Sequence, residues 1–215
     1  MFAIDDLIRE ADVAAAPQWD GAPLRYHETY YSPAELDAAF DRWILENGSF
    51  GCIPYSHMWH RDSHRRGVEF EPKPNARGHQ CALFTAEARC SGRYASNRSH
   101  SHATGELPGG MMTQIICEPC NWNHISRSES EAVEAWHDHA ITGWRALPVV
   151  PLKLVQDRDA KNGKQRFVDW INEHYPLDAQ ITGHPIITER TDFGTRHVPG
   201  RSPWGGYDLS YTALQ

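Results

Sequence analysis

Three cysteines and two histidines are the residues of this chain best suited to bind a metal ion. Cys117 and Cys120 form a Cys-Glu-Pro-Cys turn, and Cys90 precedes it. His137 and His139 follow in a segment with helical periodicity. Thiolate sulfur and imidazole nitrogen are the usual ligands of structural Zn²⁺, and a C-x-x-C turn brings two sulfurs to one ion. The sequence therefore predicts a zinc site that joins the three cysteines to a histidine.

The choice of the fourth ligand depends on which way each histidine faces. His137 and His139 are two residues apart on a helix, so their side chains point about 200° apart and do not share one ion comfortably. His137 lies four residues after Val133 and four before Ile141, so it faces inward and is favoured. Rotation of the helix about its axis would exchange the two histidines and favour His139 instead. The remaining candidates are His100, His102 and His124.

Two further interpretations of these residues stay open. Cys90, Cys117 and Cys120 can be ordinary buried thiols, since C-x-x-C also occurs by chance. A second histidine group, His57, His60 and His64, lies near Cys52, and His60 and His64 have the i, i+4 spacing of a helical metal pair. Histidines in an Arg- and Ser-rich stretch are more often solvated or bonded to backbone, which is the favoured interpretation of this group.

The elements that must position these residues are helices and short strands. Ser32, Pro33 and Glu35 form a capping box that predicts a helix over 33–46. Ser128 and Glu131 predict a second over 129–142, and a third is expected over 165–174, with a short one over 5–15. Strands are expected at 50–55, 68–70, 82–88 and 111–116, and an extended edge at 147–155. This mixture predicts an α+β fold, with a small zinc-bound β-sheet and helices packed on it.

Length and charge suggest one domain with an N-terminal extension. The chain has 215 residues, and residues 32–215 are predicted to form a single zinc-binding domain after an acidic appendage at 1–31. Residues 61–102 are locally basic, which suits contact with phosphate as well as a solvated face. No apolar run approaches the length of a bilayer span, and the N-terminus has no pattern of a secretory signal, so a cytoplasmic protein that does not contact membranes is expected.

Two functions are compatible with these residues. The favoured one is a non-enzymatic, zinc-stabilised protein that binds nucleic acid or another protein, because four protein ligands leave zinc no open position for a substrate. No motif indicates a small-molecule substrate. The alternative is a divergent HNH-type nuclease, a family that residues 100–121 resemble in part. In that family, His102 would activate water near a bound metal, and His124 would be the last metal ligand.

Several segments together resemble an uncharacterised family of actinobacterial and actinophage, or plasmid-borne, zinc-ribbon-like proteins. The segments are 51–61 (GCIPYSHMWHR), Cys90, Cys117-x-x-Cys120-x-Trp122, 132–140 (AVEAWHDHA), 143–145 (GWR), 147–151 (LPVVP) and 196–208 (RHVPGRSPWGGYD). The resemblance implies a bound metal and a mobile-element context, and it carries no known activity. We expect an accessory protein of a phage or other mobile element that binds nucleic acid or a host protein. The Trp-Gly-Gly-Tyr turn at 204–207 is expected to bury its rings in the protein's own core, with stacking on a base as the alternative.

Overall fold

The computed structural model describes residues 4–47, 57–61, 77–87, 110–189, 198–199 and 201–210. The chain divides into two compact units, one formed by 1–62 with 84–113 and the other by 63–83 with 114–215. Residues 1–31 belong to the same unit as 32–62, and the boundary expected after residue 31 stays a prediction. Helices and two small sheets make up the described elements, which confirms the α+β class.

The first unit contains helices α1 (Ile4–Ala15) and α2 (Pro33–Asn47). The predicted capping box is present: the Ser32 N–H donates to Glu35 Oε2 at 2.7 Å, and the Glu35 N–H donates to Ser32 Oγ at 3.3 Å. These bonds satisfy backbone groups that a helix start leaves free, so α2 begins where the sequence indicates. Its buried face consists of Leu36, Ala39, Phe40 and Trp43.

A three-stranded sheet, in the order β1-β2-β3, comprises β1 (Ala82–Glu87), β2 (Met111–Cys117) and β3 (Trp122–Ser126). Helix α3 (Glu129–Ala140) follows β3 directly. Ser128 caps it by accepting from the Glu131 N–H, as predicted. The helix ends two residues earlier than expected, and Gly143 is in the left-handed region with φ 83°, a conformation that favours glycine.

The second sheet has the order β4-β5-β7-β6. Its strands are β4 (Val149–Val150), β5 (Ile186–Thr188), β6 (Val198–Pro199) and β7 (Tyr207–Ser210). β4, β5 and β7 are parallel, with Val150 opposite Thr188 and Thr188 opposite Ser210, whereas β6 is antiparallel to β7.

The extended edge expected over 147–155 is only partly strand. β4 occupies two residues, and helix α4 (Leu152–Gln156) then begins after Pro151. Proline fixes φ near the value that a helix start requires, and Glu189 Oε2 accepts the otherwise free Leu152 N–H at 2.8 Å. Helix α5 (Gly163–His174) corresponds to the third predicted helix.

The core of the second unit is rich in aromatic rings. Trp136 from α3, Trp144 after it and Tyr207 from β7 are each 1% exposed, and Phe167 and Ile171 contribute the buried face of α5. Burying aromatic rings removes a large apolar area from water and supplies much of the stability of a small core. Among the described helices, none combines the length and hydropathy that a membrane span needs.

Candidate metal centre

Four side chains of the second unit converge on one point. They are His79, Cys117, Cys120 and His139, here called the metal quartet. One ligand atom from each, a sulfur or an imidazole nitrogen, lies within 4.8 Å of the other three. The quartet can therefore hold a metal ion.

Two distances within the quartet fit the edges of a metal tetrahedron. His79 Nδ1 lies 3.3 Å from Cys120 Sγ and 3.7 Å from Cys117 Sγ. With Zn–S near ~2.3 Å and Zn–N near ~2.05 Å, a tetrahedral S···N edge is about 3.6 Å. The spacing of the imidazole from the two sulfurs therefore requires little rearrangement to accept such an ion.

The cysteine turn is shaped by its backbone. Residues Glu118–Cys120 form a single 3-10 turn between β2 and β3, and Pro119 stiffens it. Asn121 adopts the left-handed conformation, with φ 50° and ψ 42°, and its N–H donates to Glu118 O at 2.9 Å. Asn is one of the few residues that enters this region readily. The reversal returns the Cys120 sulfur toward Cys117 at the end of β2.

His79 is positioned by the segment that leads into β1. The indole N–H of Trp136, in α3, donates to Gln80 O at 2.9 Å, which ties this segment to the helix that carries His139. The backbone N–H groups of Gln80 and Cys120 also donate toward the Cys117 sulfur and favour its thiolate form. Donation of this kind orients side chains that could serve as metal ligands.

His139 lies in the last turn of α3, between two rings. Its imidazole stacks on Trp122 with ring centroids 4.5 Å apart and planes 3° from parallel, and it meets the His79 ring edge-on at 5.0 Å. The Nε2 atom of His139 is buried and, among the described residues, has no hydrogen-bond partner. A buried polar nitrogen without a partner costs free energy, and a metal ion at the quartet offers a ligand bond to this ring.

Burial shifts the pKa values of the cysteine and the histidine in opposite directions. It raises the pKa of Cys117, and the neighbouring Cys120 sulfur raises it further, although the backbone N–H donors oppose this shift. It lowers the pKa of His139, and the adjacent His79 lowers it further. The imidazole is thus kept neutral, the form that binds metal, whereas the thiol needs a cation to lose its proton.

Comparison with known proteins places almost the whole chain in one family. The sequence profile of a family of unknown function (DUF6349) matches residues 21–215. The chain belongs to DUF6349. No curated protein and no solved structure gave a match. The DUF6349 region includes the entire metal quartet, whereas α1 precedes it.

The structure brings together some of the ligands predicted for this DUF6349 protein. Cys117, Cys120 and His139 lie in the quartet. His137, the favoured histidine, does not: Nδ1 donates to Val133 O at 2.6 Å, and Nε2 accepts from the Tyr207 hydroxyl. His137 faces inward as predicted, but the inward face of α3 meets the aromatic core, and the metal quartet lies beside the helix. Cys90 falls outside the described residues.

His79 was missed by the sequence analysis. The sequence analysis sought a third ligand at the end of the 82–88 strand, where Cys90 stands, whereas His79 of the quartet lies just before that strand begins. The start of β1 lies near the end of β2, as the contact of His79 with Cys117 shows. A histidine beside Gly78, immediately before an apolar strand, was the available signal, and His79 has no spacing motif that distinguishes it.

The other histidine candidates of this DUF6349 chain have different surroundings. His124 stacks at 6.3 Å on Trp122 and is not one of the quartet. His57 Nδ1 contacts Glu87 O, and His60 Nδ1 lies 3.2 Å from Arg61 O, so both contact backbone, as the favoured interpretation of that group holds. The other members considered, Cys52, His64, His100 and His102, lie outside the described residues.

Proposed function

We propose that the metal quartet binds one structural Zn²⁺, and that the protein is a non-enzymatic accessory protein that acts by binding a macromolecule. The observation that carries the proposal is the convergence of two sulfurs and two imidazoles within 4.8 Å. A quartet drawn from three separate parts of the chain, at residues 79, 117–120 and 139, would be held together by the ion itself. The metal then contributes folding free energy to the second unit.

The ligand chemistry favours zinc. Mg²⁺ and Ca²⁺ prefer oxygen ligands, and the quartet offers none. A set of two thiolates and two imidazoles in tetrahedral spacing is typical of Zn²⁺, which has no redox chemistry of its own and accepts both ligand types.

The number of protein ligands favours a structural role over a catalytic one. Catalytic zinc sites usually keep a position open for water or substrate, whereas four protein ligands fill a tetrahedron. Trp122 also covers one face of the His139 ring, which limits access to the ion on that side. Catalysis at this metal would require one ligand to leave.

The role proposed for the zinc-built unit is to present a binding surface. The resemblance to phage and plasmid proteins supports an accessory function for a mobile element. The basic 61–102 segment supports a nucleic-acid partner, and the phage context supports a host protein. We infer a binding protein of one of these two kinds, and partner capture decides between them.

Metal analysis tests the zinc part of the proposal. Protein purified without added metal is expected to contain one zinc per chain by elemental analysis. His79→Ala and His139→Ala should each lower the zinc content, because a tetrahedral site loses a ligand. The exposed His174 on α5 supplies a matched control, since His174→Ala removes an imidazole away from the quartet. Zinc-free wild-type protein, or equal zinc loss in the control, would refute the assignment.

Partner capture tests the binding part. Tagged zinc-loaded protein is incubated with host lysate, with and without nuclease, and the zinc-depleted His79→Ala protein serves as the comparison. Recovery of nucleic acid that nuclease abolishes identifies a nucleic-acid partner, and a protein that survives nuclease identifies a protein partner. Metal-dependent nicking of plasmid DNA by the purified protein would instead support the nuclease alternative.

A further inference from the structure

We infer that Cys120 is a peroxide-sensitive site whose oxidation forms a Cys117–Cys120 disulfide and releases the bound metal. The inference rests on the proposed function, because it requires a metal at the quartet. It follows from an asymmetry among the four ligands and from the separation of the two sulfurs.

The asymmetry is one of exposure. Cys120 is exposed, whereas Cys117 is 0% exposed and the two histidines are half-buried. An electrophilic oxidant must reach a sulfur before it reacts, so accessibility selects the site of oxidation. Cys120 is the ligand sulfur that solvent reaches.

The second requirement is a thiolate close enough to complete a disulfide. Cys117 lies in the same short turn, and its sulfur is within 4.8 Å of the Cys120 sulfur. A disulfide needs the sulfurs at about 2.05 Å, so closure requires them to approach by no more than roughly 3 Å. Rotation about side-chain bonds in the turn supplies movement of this size.

Among the described residues, one further cysteine, Cys81, is poorly placed to compete. Cys81 is 6% exposed and belongs to the hydrophobic core of the second unit. It is two residues from His79 and lies near Tyr207, whose pKa is raised first by burial and further by the charge of Cys81. Its sulfur is not one of the four ligand atoms that all lie within 4.8 Å of one another, so Cys117, in the same turn as Cys120, is the expected partner in the disulfide.

The reaction balances with peroxide as the two-electron oxidant. The Cys120 thiolate attacks one oxygen of H₂O₂, the O–O bond breaks, and Cys120 sulfenic acid and hydroxide form. The Cys117 thiolate then attacks the Cys120 sulfur, the S–O bond breaks, and a second hydroxide leaves as the S–S bond forms. Two protons from solvent convert the two hydroxides to water. Two thiolates have lost two electrons, and one peroxide has gained them.

Release of the metal follows from the loss of its ligands. A disulfide sulfur is a weak metal ligand because its negative charge is gone, so only His79 and His139 remain. Two imidazoles do not hold zinc as a structural site does. The segment before β1 and the end of α3 then lose their common ion, and the second unit is destabilised.

The test measures metal before and after oxidation. Zinc content is first determined in the untreated protein, which tests the proposed function alone. Hydrogen peroxide is then added, and released zinc is followed with a chromogenic chelator while the thiols are mapped by mass spectrometry. Wild-type protein is expected to release its zinc and to show a Cys117–Cys120 disulfide, reversed by a dithiol reductant. A sulfenic-acid probe should label Cys120 first.

Two variants make the outcome specific. Cys120→His keeps a zinc ligand but removes the exposed sulfur, so peroxide-driven release should slow by about tenfold or more. Cys81→Ala should release zinc as fast as wild type. Zinc retained by wild type under peroxide, first labelling at another cysteine, or a disulfide that omits Cys120 would each overturn the inference, even if zinc was present at the start. Should Cys120→His fail to retain zinc, the labelling order in the wild type alone decides.

Discussion

The four side chains of the metal quartet differ in how firmly the protein holds them. Cys117 is fully buried at the end of β2 and receives backbone donors, whereas Cys120 is exposed on the turn. His139 is fixed through its stack on Trp122, and His79 through the neighbouring bond from Trp136 to Gln80. Residues that touch ligands without binding metal usually set ligand orientation, and their loss lowers metal affinity.

A first prediction concerns a single residue, Trp122. Trp122→Ala removes the ring that orients the His139 imidazole, so zinc affinity should fall by about 10-fold to 100-fold. Trp122→Phe keeps an aromatic face and should retain most of the affinity. Competition titration with a zinc chelator measures both. Equal affinities for wild type and Trp122→Ala would show that the stack has no role in positioning the ligand.

A second prediction concerns His137 and affects stability without affecting zinc content. Its imidazole is 0% exposed and bonds to Val133 O and the Tyr207 hydroxyl, so it belongs to the core of the second unit. Tyr207→Phe removes one bond and leaves Nε2 of His137 without its donor, which should cost about 1–3 kcal/mol in the free energy of unfolding. The zinc stoichiometry should stay unchanged, because neither residue is in the quartet. Urea denaturation and elemental analysis together check this, and loss of zinc from the folded variant would contradict it.

The sequence predicted the helices better than it predicted the residues of the metal quartet. The helices at α2 and α3 were predictable because Ser32 and Ser128 mark their starts with capping residues that act over three or four positions. The quartet depends instead on contacts between distant segments. The periodicity of the helix correctly placed His137 on the buried face of α3. Periodicity does not show what that face packs against, so it could not tell whether His137 meets aromatic rings or the cysteine sulfurs. His79 stands before a strand with no motif, so only the pairing of β1 with β2 reveals it.

The turn into β7 yields a prediction at the scale of elements. The backbone of Gly206 lies very close to the segment that precedes β5. A Cβ atom on Gly206 would lie 2.3 Å from His184 O. Gly206→Ala should therefore destabilise the second unit by about 1–3 kcal/mol, because backbone atoms must move to relieve the overlap. Lys164→Ala on the exposed side of α5 is a control expected to change stability by less than about 0.5 kcal/mol. Thermal melts distinguish the two, and a Gly206→Ala melt equal to that of wild type would disprove the close approach.

At the scale of the whole molecule, the metal quartet belongs to one unit and the N-terminal residues to the other. Residues 17–31 make specific contacts within the first unit: the Trp59 indole N–H donates to His27 O at 2.7 Å, and the Trp59 ring lies 5.3 Å from that of Tyr26. The DUF6349 match begins at residue 21, so α1 precedes it while these contacts fall inside it.

Two truncations test what the N-terminal residues contribute. Removal of residues 1–20 deletes α1 but keeps Tyr26 and His27, whereas removal of residues 1–31 deletes these contacts as well. Both proteins are expected to retain one zinc per chain, because the quartet lies in the other unit, and the longer deletion should lower the melting temperature more. Loss of zinc or of a cooperative melt in the 1–31 deletion would show that residues 32–215 are not an independent zinc-binding domain.

The most direct test of the metal centre is X-ray absorption at the zinc edge of the purified protein. Coordination by His79, Cys117, Cys120 and His139 predicts two sulfurs at about 2.3 Å and two nitrogens at about 2.0–2.1 Å, with no oxygen ligand. A shell of three sulfurs and one nitrogen would instead indicate a third cysteine, such as the Cys90 predicted from the sequence, in place of a histidine. That shell, or the absence of zinc, would contradict the account.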